Sequence, residues 1–141
     1  MHLKQLYIFI LLIAQIALSQ EPYHVSFGRK DGLPSLNIYH SLQDKNGYQW
    51  FASDLGVLKY DGYSFSLLST EDGLADNENF SCFQDSKGRI WFLAYNGKIS
   101  FLLDNKIFNE SNFTLLKNNQ KNGYISRISE NTKGEIIIIY S

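Results

Sequence analysis

The chain has 141 residues, of which 44% are hydrophobic and 15% aromatic, and its formal net charge is −1. That is enough apolar material for the core of one domain, and it excludes disorder by composition. A near-neutral chain lacks the basic surface that a general nucleic-acid binder needs, and the single cysteine, Cys82, excludes an internal disulfide.

At the N-terminus, His2 and Lys4 precede a run from Leu6 to Leu18 that is apolar except for Gln15. Ala17 and Ser19 then supply small residues at the −3 and −1 positions of a cleavage point before Gln20. This is the order of a secretory signal peptide, so residues 1–19 are assigned to a signal and 20–141 to the mature chain. The run is shorter than the roughly 20 residues of a membrane span. No cysteine follows it directly, which argues against lipoprotein processing.

The next feature is a segment that occurs twice. Asp31-Gly32-Leu33, Gln43-Asp44, Gly47, Trp50-Phe51 and Gly56 return as Asp72-Gly73-Leu74, Gln84-Asp85, Gly88, Trp91-Phe92 and Gly97, each 41 residues later. A fixed period of this length marks an array of one supersecondary unit. In the first copy, strands are expected over 38–42, 48–53, 57–60 and 63–68. The turns between them are Asp44-Lys45-Asn46-Gly47, Asp54-Leu55-Gly56 and Asp61-Gly62, because Asp accepts backbone hydrogen bonds while Asn and Gly tolerate positive φ. In the second copy, strands are expected over 80–83, 90–94, 98–103 and 106–108. Residues 109–122 are rich in Asn, Ser and Lys and are read as an irregular exposed loop. A weak third copy follows, with Ile125 and Ile128, the turn Asn131-Thr132-Lys133-Gly134 and a strand over 136–140. Gly134 lies 46 residues after Gly88, and Ile137-Ile138 stand in place of Trp-Phe.

Four short strands in about 40 residues are the size of one β-propeller blade. The expected fold is therefore all-β: four-stranded antiparallel propeller blades in an incomplete array of two to three repeats. The blades run over about 31–71 and 72–112, with a weak third from about 118. A propeller closes with roughly 4–8 blades, so the sequence is expected to be the N-terminal piece of a longer protein or a truncated gene.

The repeat resembles the two-component regulator propeller repeat. The first copy supplies Asp31-Gly32-Leu33 with Asn37, then Gln43-Asp44, Gly47, Trp50-Phe51, Gly56 and Lys59-Tyr60-Asp61-Gly62-Tyr63-Ser64-Phe65. The second supplies Asp72-Gly73-Leu74 with Asn77, then Gln84-Asp85, Gly88, Ile90-Trp91-Phe92 and Gly97. The match is good over about 27–103 and poor over 125–140. Ala52-Ser53 and Leu93-Ala94 replace the Gly-Thr that follows Trp-Phe in the family pattern, and the Tyr-Asp-Gly stretch is missing from the second copy. The resemblance implies the N-terminal part of a Bacteroidetes-type periplasmic sensor histidine kinase: an exported propeller followed by a membrane anchor and a cytoplasmic output. It implies a carbohydrate or other small extracellular ligand as partner, with the rest of the propeller and a possible homodimer in the full-length protein.

Residues that recur in every unit usually build the unit. Trp50 and Trp91 are accordingly read as an inter-blade packing layer, and Asp31, Asp44, Asp61, Asp72 and Asp85 as turn residues. Cys82 is read as a small buried hydrophobe, and His24 and His40 as solvated or core histidines without a ligand pattern. No catalytic, cofactor or metal residue is named. For ligand binding, function usually resides in loops on a rigid scaffold; Tyr48, Tyr63 and Tyr95 flank turns and are the candidates for stacking on a ligand. The functional expectation is an extracytoplasmic sensor segment of a signalling protein, without catalysis by this chain. A structural or protein–protein interaction propeller with no kinase output is the alternative, and a propeller lyase or glycosidase, needing convergent carboxylates, a third.

Overall fold

A computed structural model describes residues 24–119 and 123–141; the expected signal peptide lies outside them. Among the described residues, ten strands form three antiparallel sheets. The first holds β1 (Ile38–Gln43), β2 (Gln49–Ser53), β3 (Val57–Tyr60) and β4 (Phe65–Leu68), and the second β5 (Asn79–Gln84), β6 (Ile90–Ala94), β7 (Ile99–Leu103) and β8 (Lys106–Phe108). The third pairs β9 (Ile125–Glu130) with β10 (Ile136–Tyr140). Strands in the two four-stranded sheets pair in sequence order, which makes each a meander and gives the expected propeller-like blade. Both carry a register break at the same point of the repeat, between Ile38 and His40 and between Asn79 and Ser81.

The repeated Asp explains the repeated turn and its tie to the sheet. One oxygen of Asp44 accepts the backbone N–H groups of Asn46 (2.8 Å) and Tyr48 (3.0 Å), and the other accepts Trp50 Nε1–H at 2.8 Å. Asp85 repeats this with Lys87 (3.0 Å), Arg89 (2.9 Å) and Trp91 Nε1–H (2.8 Å). In the third sheet Asn131 Oδ1 still accepts the turn N–H groups of Lys133 (2.9 Å) and Glu135 (3.0 Å). Ile137 stands there in place of Trp, so no indole N–H needs a second carboxylate oxygen, and an amide suffices.

The Asp-Gly-Leu motif builds a 3-10 turn at Arg29–Asp31 and again at Thr70–Asp72. Asp31 accepts the N–H of Gly28 and Asp72 that of Ser69, each at 2.8 Å, and Gly32 and Gly73 close the turns at φ 82° and 107°.

The core lies between sheets. Trp50 and Val57 of the first sheet meet Cys82, Ile90 and Phe92 of the second, joined by Leu74 and Ile107. On the other side of the second sheet, Trp91, Leu93, Ile99 and Phe101 meet Ile125 and Ile128 of the third. Trp50, Phe92 and Leu93 are essentially inaccessible, and burying each such side chain contributes roughly 2–3 kcal/mol. The recurring tryptophans thus lie in successive inter-sheet layers.

Hydrogen bonds between sheets also recur. Gln84 accepts the N–H of Lys45 at 2.9 Å, and Glu130, at the same place in the third repeat, accepts the N–H of Ser86 at 2.8 Å and its hydroxyl at 2.6 Å.

Three sequence expectations need correction. The loop expected over 109–122, of which 120–122 lie outside the described residues, is not simply irregular and exposed: it includes α1 (Thr114–Asn119), and Phe113 and Leu116 pack on the second core cluster. Phe113 immediately precedes the helix, and its carbonyl accepts the N–H groups of Leu116 and Lys117. Tyr48, Tyr63 and Lys98 fall outside the strands, because their N–H groups are taken by Asp44, Asp61 and Asn96 within the turns. The first strand of each four-stranded sheet is longer than expected, since β5 includes Asn79 and Gln84 and β1 reaches Gln43.

Candidate functional site

The three tyrosines singled out from sequence do not converge. Tyr63 is 96% exposed on the β3–β4 hairpin. Tyr48 sits beside the β1–β2 turn, half-buried, with Lys59 Nζ 3.8 Å above its ring. Tyr95 lies in the β6–β7 turn. Turns alternate ends in an antiparallel meander, so Tyr95 is at the opposite end of the sheets from Tyr48.

Tyr95 belongs to an aromatic platform. Its ring meets Tyr39 edge-on at 5.5 Å and Phe80 at 5.2 Å. Tyr95, Phe80, Tyr124, Ile125 and Ser141 line a shallow depression of about 340 Å³. Tyr39 and Tyr95 are each 43% exposed and Tyr124 68%. The platform is fixed from below: Tyr95 N–H donates to the Glu78 carbonyl at 3.0 Å, and Ser141 N–H to that of Tyr124 at 2.9 Å.

Polar groups surround it. Asp54 accepts hydrogen bonds from Ser35 Oγ and, at 2.7 Å, from Asn37 Nδ2, and these hold its carboxyl below the usual carboxylate range. Asn96 Nδ2 donates to Asp76. Partial desolvation, then the negative charges of Glu78 and Asp54, raise the Tyr39 hydroxyl above its ordinary value. Tyr39 therefore remains a neutral phenol, able to donate and accept, at physiological pH.

Several positions at this end differ between the repeats. Where the first copy has Asp54, the second has Tyr95; where the first has Asn37 and the second Glu78, the third has Tyr124. These side chains are not constrained to build the blade. Aromatic faces beside carboxylate and amide groups suit a ring that offers an apolar face and peripheral hydroxyls. Sequence reasoning found Tyr95 but missed Tyr39, Phe80 and Tyr124. Their signal was available as aromatic residues around the start of the first strand of each sheet: Tyr39 and Phe80 lie 41 residues apart, and Tyr124 precedes β9.

The buried titratable groups take different roles. Cys82 is 3% exposed, and burial pushes its thiol up to about 12. His40 Nδ1 lies 3.3 Å from Cys82 Sγ and 3.4 Å from the Cys82 backbone nitrogen. A thiol so desolvated is a poor nucleophile. Burial of Asp85 opposes its charge, but the Trp91 indole, the Arg89 side chain and the Arg89 backbone N–H outweigh burial and hold it below the ordinary value.

No family model matches the chain. The chain is 28% identical over 113 residues to an uncharacterised protein, ycf91, of Porphyra purpurea, covering 74% of this chain and 90% of that protein. Among solved structures it is similar to the extracellular domain of a proposed hybrid two-component system from B. thetaiotaomicron, at TM-score 0.61 and 20% identity over 79% of this chain. A second similar structure is the extracellular domain of a proposed one-component system from the same organism, at TM-score 0.45 and 14% identity over 73% of the chain. The chain spans 16% of the first domain and 21% of the second. The first likeness is one of fold: blades of this kind occur as a small part of that extracellular domain.

Proposed function

We propose that the chain is an extracytoplasmic ligand-binding segment of a β-propeller sensor in a signal-transduction protein, and that its ligand stacks on the platform of Tyr39, Tyr95 and Tyr124. The observation that carries this reading is the platform: exposed aromatic rings beside one another, two of them, Tyr95 and Tyr124, at positions where the repeats diverge. The structural likeness to a sensor's extracellular domain supports it, as does the resemblance of the repeat to the two-component regulator propeller. In this reading the protein is exported, the chain is one part of a longer periplasmic sensor kinase anchored in the membrane, and its residues bind without catalysing. The ligand class is an uncharged oligosaccharide, because Asp54 and Glu78 beside the platform disfavour a polyanion. Binding would bias a conformational equilibrium only through differential affinity for its two states.

Tyrosine fluorescence titrated with neutral and acidic oligosaccharides tests the reading. A saturable response to a neutral sugar that is lost in Tyr95→Ala and Tyr39→Ala is expected. Silence across the panel, or a response indifferent to both substitutions, would sink it.

A second reading has its own observation. Ile137 and Ile139 expose 44% and 48% of their surface on one face of β10, at the repeat positions held by Trp91 and Leu93 in the second sheet. An apolar face of that kind suits protein contact, as in a structural or interaction propeller with no kinase output. Substituting Ile137→Lys would weaken such an association and leave sugar binding unchanged.

A further inference from the structure

The other end of the sheets holds a second cleft, between the β1–β2 turn and the β7–β8 turn, enclosing about 370 Å³. It is independent of the aromatic platform. Its origin is a departure from the repeat. In the second sheet Arg89 lies over Trp91 at 4.8 Å and Phe101 at 5.6 Å, and its Nε is paired with Asp85 at 2.5 Å. In the first sheet the cation and the aromatic have traded places: Tyr48 stands at the position of Arg89, and Lys59, opposite Trp50 in the β2–β3 register, at that of Phe101.

The exchange keeps a cation over a ring, with Lys59 Nζ 3.8 Å from the Tyr48 centroid and 5.4 Å from that of Trp50. It does not keep the ion pair. The ion pairs among the described residues are Arg89–Asp85 and Lys98–Glu110, and Lys59 is in neither. Asp44, the counterpart of Asp85, spends one oxygen on two turn N–H groups and the other on Trp50 Nε1–H. The result is a half-buried ammonium, held on two aromatic faces, with no carboxylate against it. Lys87, Asn105 and Asp104 line the same cleft, and Ile90 and Leu102 give it an apolar wall.

We propose that this cleft binds a small hydroxylated organic monoanion, its carboxylate on Lys59 and its hydroxyl groups toward Asn105 and Asp104. A cleft of this volume lies at the lower end of the range for small-molecule sites, which limits the ligand to about one sugar-sized unit. Asp44 and Asp104 line the cleft together with Lys59 and Lys87, so its formal charges balance, and the two carboxylates disfavour a ligand carrying more than the one negative charge that Lys59 can pair. An ammonium can approach a carboxylate directly while its opposite side stays on the aromatic rings, so ligand charge and cation–π contact add.

Sodium gluconate is the probe and glucose its uncharged counterpart. Titration is followed by calorimetry and by tryptophan fluorescence, since Trp50 lines the cleft and the platform contains no tryptophan. Gluconate is expected to bind saturably in the millimolar range or tighter, and glucose at least about tenfold more weakly. Lys59→Met, which keeps an unbranched apolar stem and removes the ammonium, should cost about tenfold or more in affinity. Lys59→Phe, which restores the residue of the second repeat, should fill the cleft and abolish binding with no loss of melting temperature. Tyr95→Ala should leave gluconate binding unchanged, which separates this site from the platform. Absence of saturable gluconate binding by the folded protein, or equal affinity in wild type and Lys59→Met, would overturn the proposal.

Discussion

Asp85→Asn is the sharpest test of what holds a blade together. Asp85 is 1% exposed and accepts from the backbone N–H of Lys87 and Arg89, from Arg89 Nε and from Trp91 Nε1. An asparagine is almost isosteric, so no cavity opens. Its Oδ1 can still take the two turn N–H groups at Oδ1, but its Nδ2 then faces two donors, Trp91 Nε1–H and Arg89 Nε–H. A buried donor left unpaired costs about 1–3 kcal/mol. Trp91 is 4% exposed and bears that penalty in full, whereas the Arg89 side chain, 18% exposed, can turn partly to water. The expected destabilisation is about 3 kcal/mol, a fall in melting temperature on the order of 10 °C for a chain of this size. Circular dichroism melts at neutral pH read it directly. Asp44→Asn should cost less, because Asp44 serves Trp50 but no arginine. The difference between wild type and Asp85→Asn should also depend on pH. The folded-state pKa of Asp85 is depressed, so its charge stabilises the fold above the unfolded value of about 4. That contribution is lost as pH falls through the folded value, and the two melts should converge in acid. A loss under about 1 kcal/mol for Asp85→Asn at neutral pH would refute the buried carboxylate–indole link as the main tie between turn and sheet.

Phe92→Ala, at a fully inaccessible core position, should cost about 3–5 kcal/mol in chemical denaturation, and a loss near 1 kcal/mol would show that the first inter-sheet cluster is loosely packed. Gly97→Ala and Gly88→Ala form a controlled pair, with φ of 81° and 82°. Both incur the left-handed cost of about 1–2 kcal/mol, but only at Gly97 would the new Cβ lie 2.3 Å from a backbone oxygen, that of Gly123, so thermal melts should rank Gly97→Ala clearly lower. Cys82, with its thiol raised to about 12, should resist iodoacetamide at pH 8 in the folded chain and react readily in denaturant; fast native alkylation detected by mass spectrometry would contradict its burial.

Much of this structure was legible in sequence because the period made the chain its own alignment. Asp44 and Asp85 could be assigned to turns from the glycine three residues on, and Val57–Tyr60, Ile90–Ala94, Lys106–Phe108 and Ile136–Tyr140 could be bounded as strands. What was hidden is what depends on distance in space. The tie from Asp85 to Trp91 spans six residues and reads as two unrelated features until the strand turns back. The helix over Thr114–Asn119 was hidden by a polar composition that resembles a loop; only Phe113 and Leu116 mark its buried side. Tyr48, Tyr63 and Tyr95 look equivalent as turn-flanking aromatics, yet they lie in a cleft, on an exposed hairpin and in a platform.

The repeat separates scaffold from site more sharply than burial does. At the turn, Asp accompanies Trp in two copies and Asn accompanies Ile in the third, so the acceptor tracks the donor it must satisfy. Such paired change preserves packing. At Tyr48 and Lys59 the change is also paired, but incompletely: the cation–π contact survives and the ion pair does not. A purely structural exchange would have kept the direct ion pair, since a half-buried cation without one is costly to hold. Local departures from a rule that the rest of the chain obeys are expected at functional positions. By that criterion Lys59 is a stronger site residue than either recurring tryptophan, although the tryptophans are the more conspicuous in the sequence.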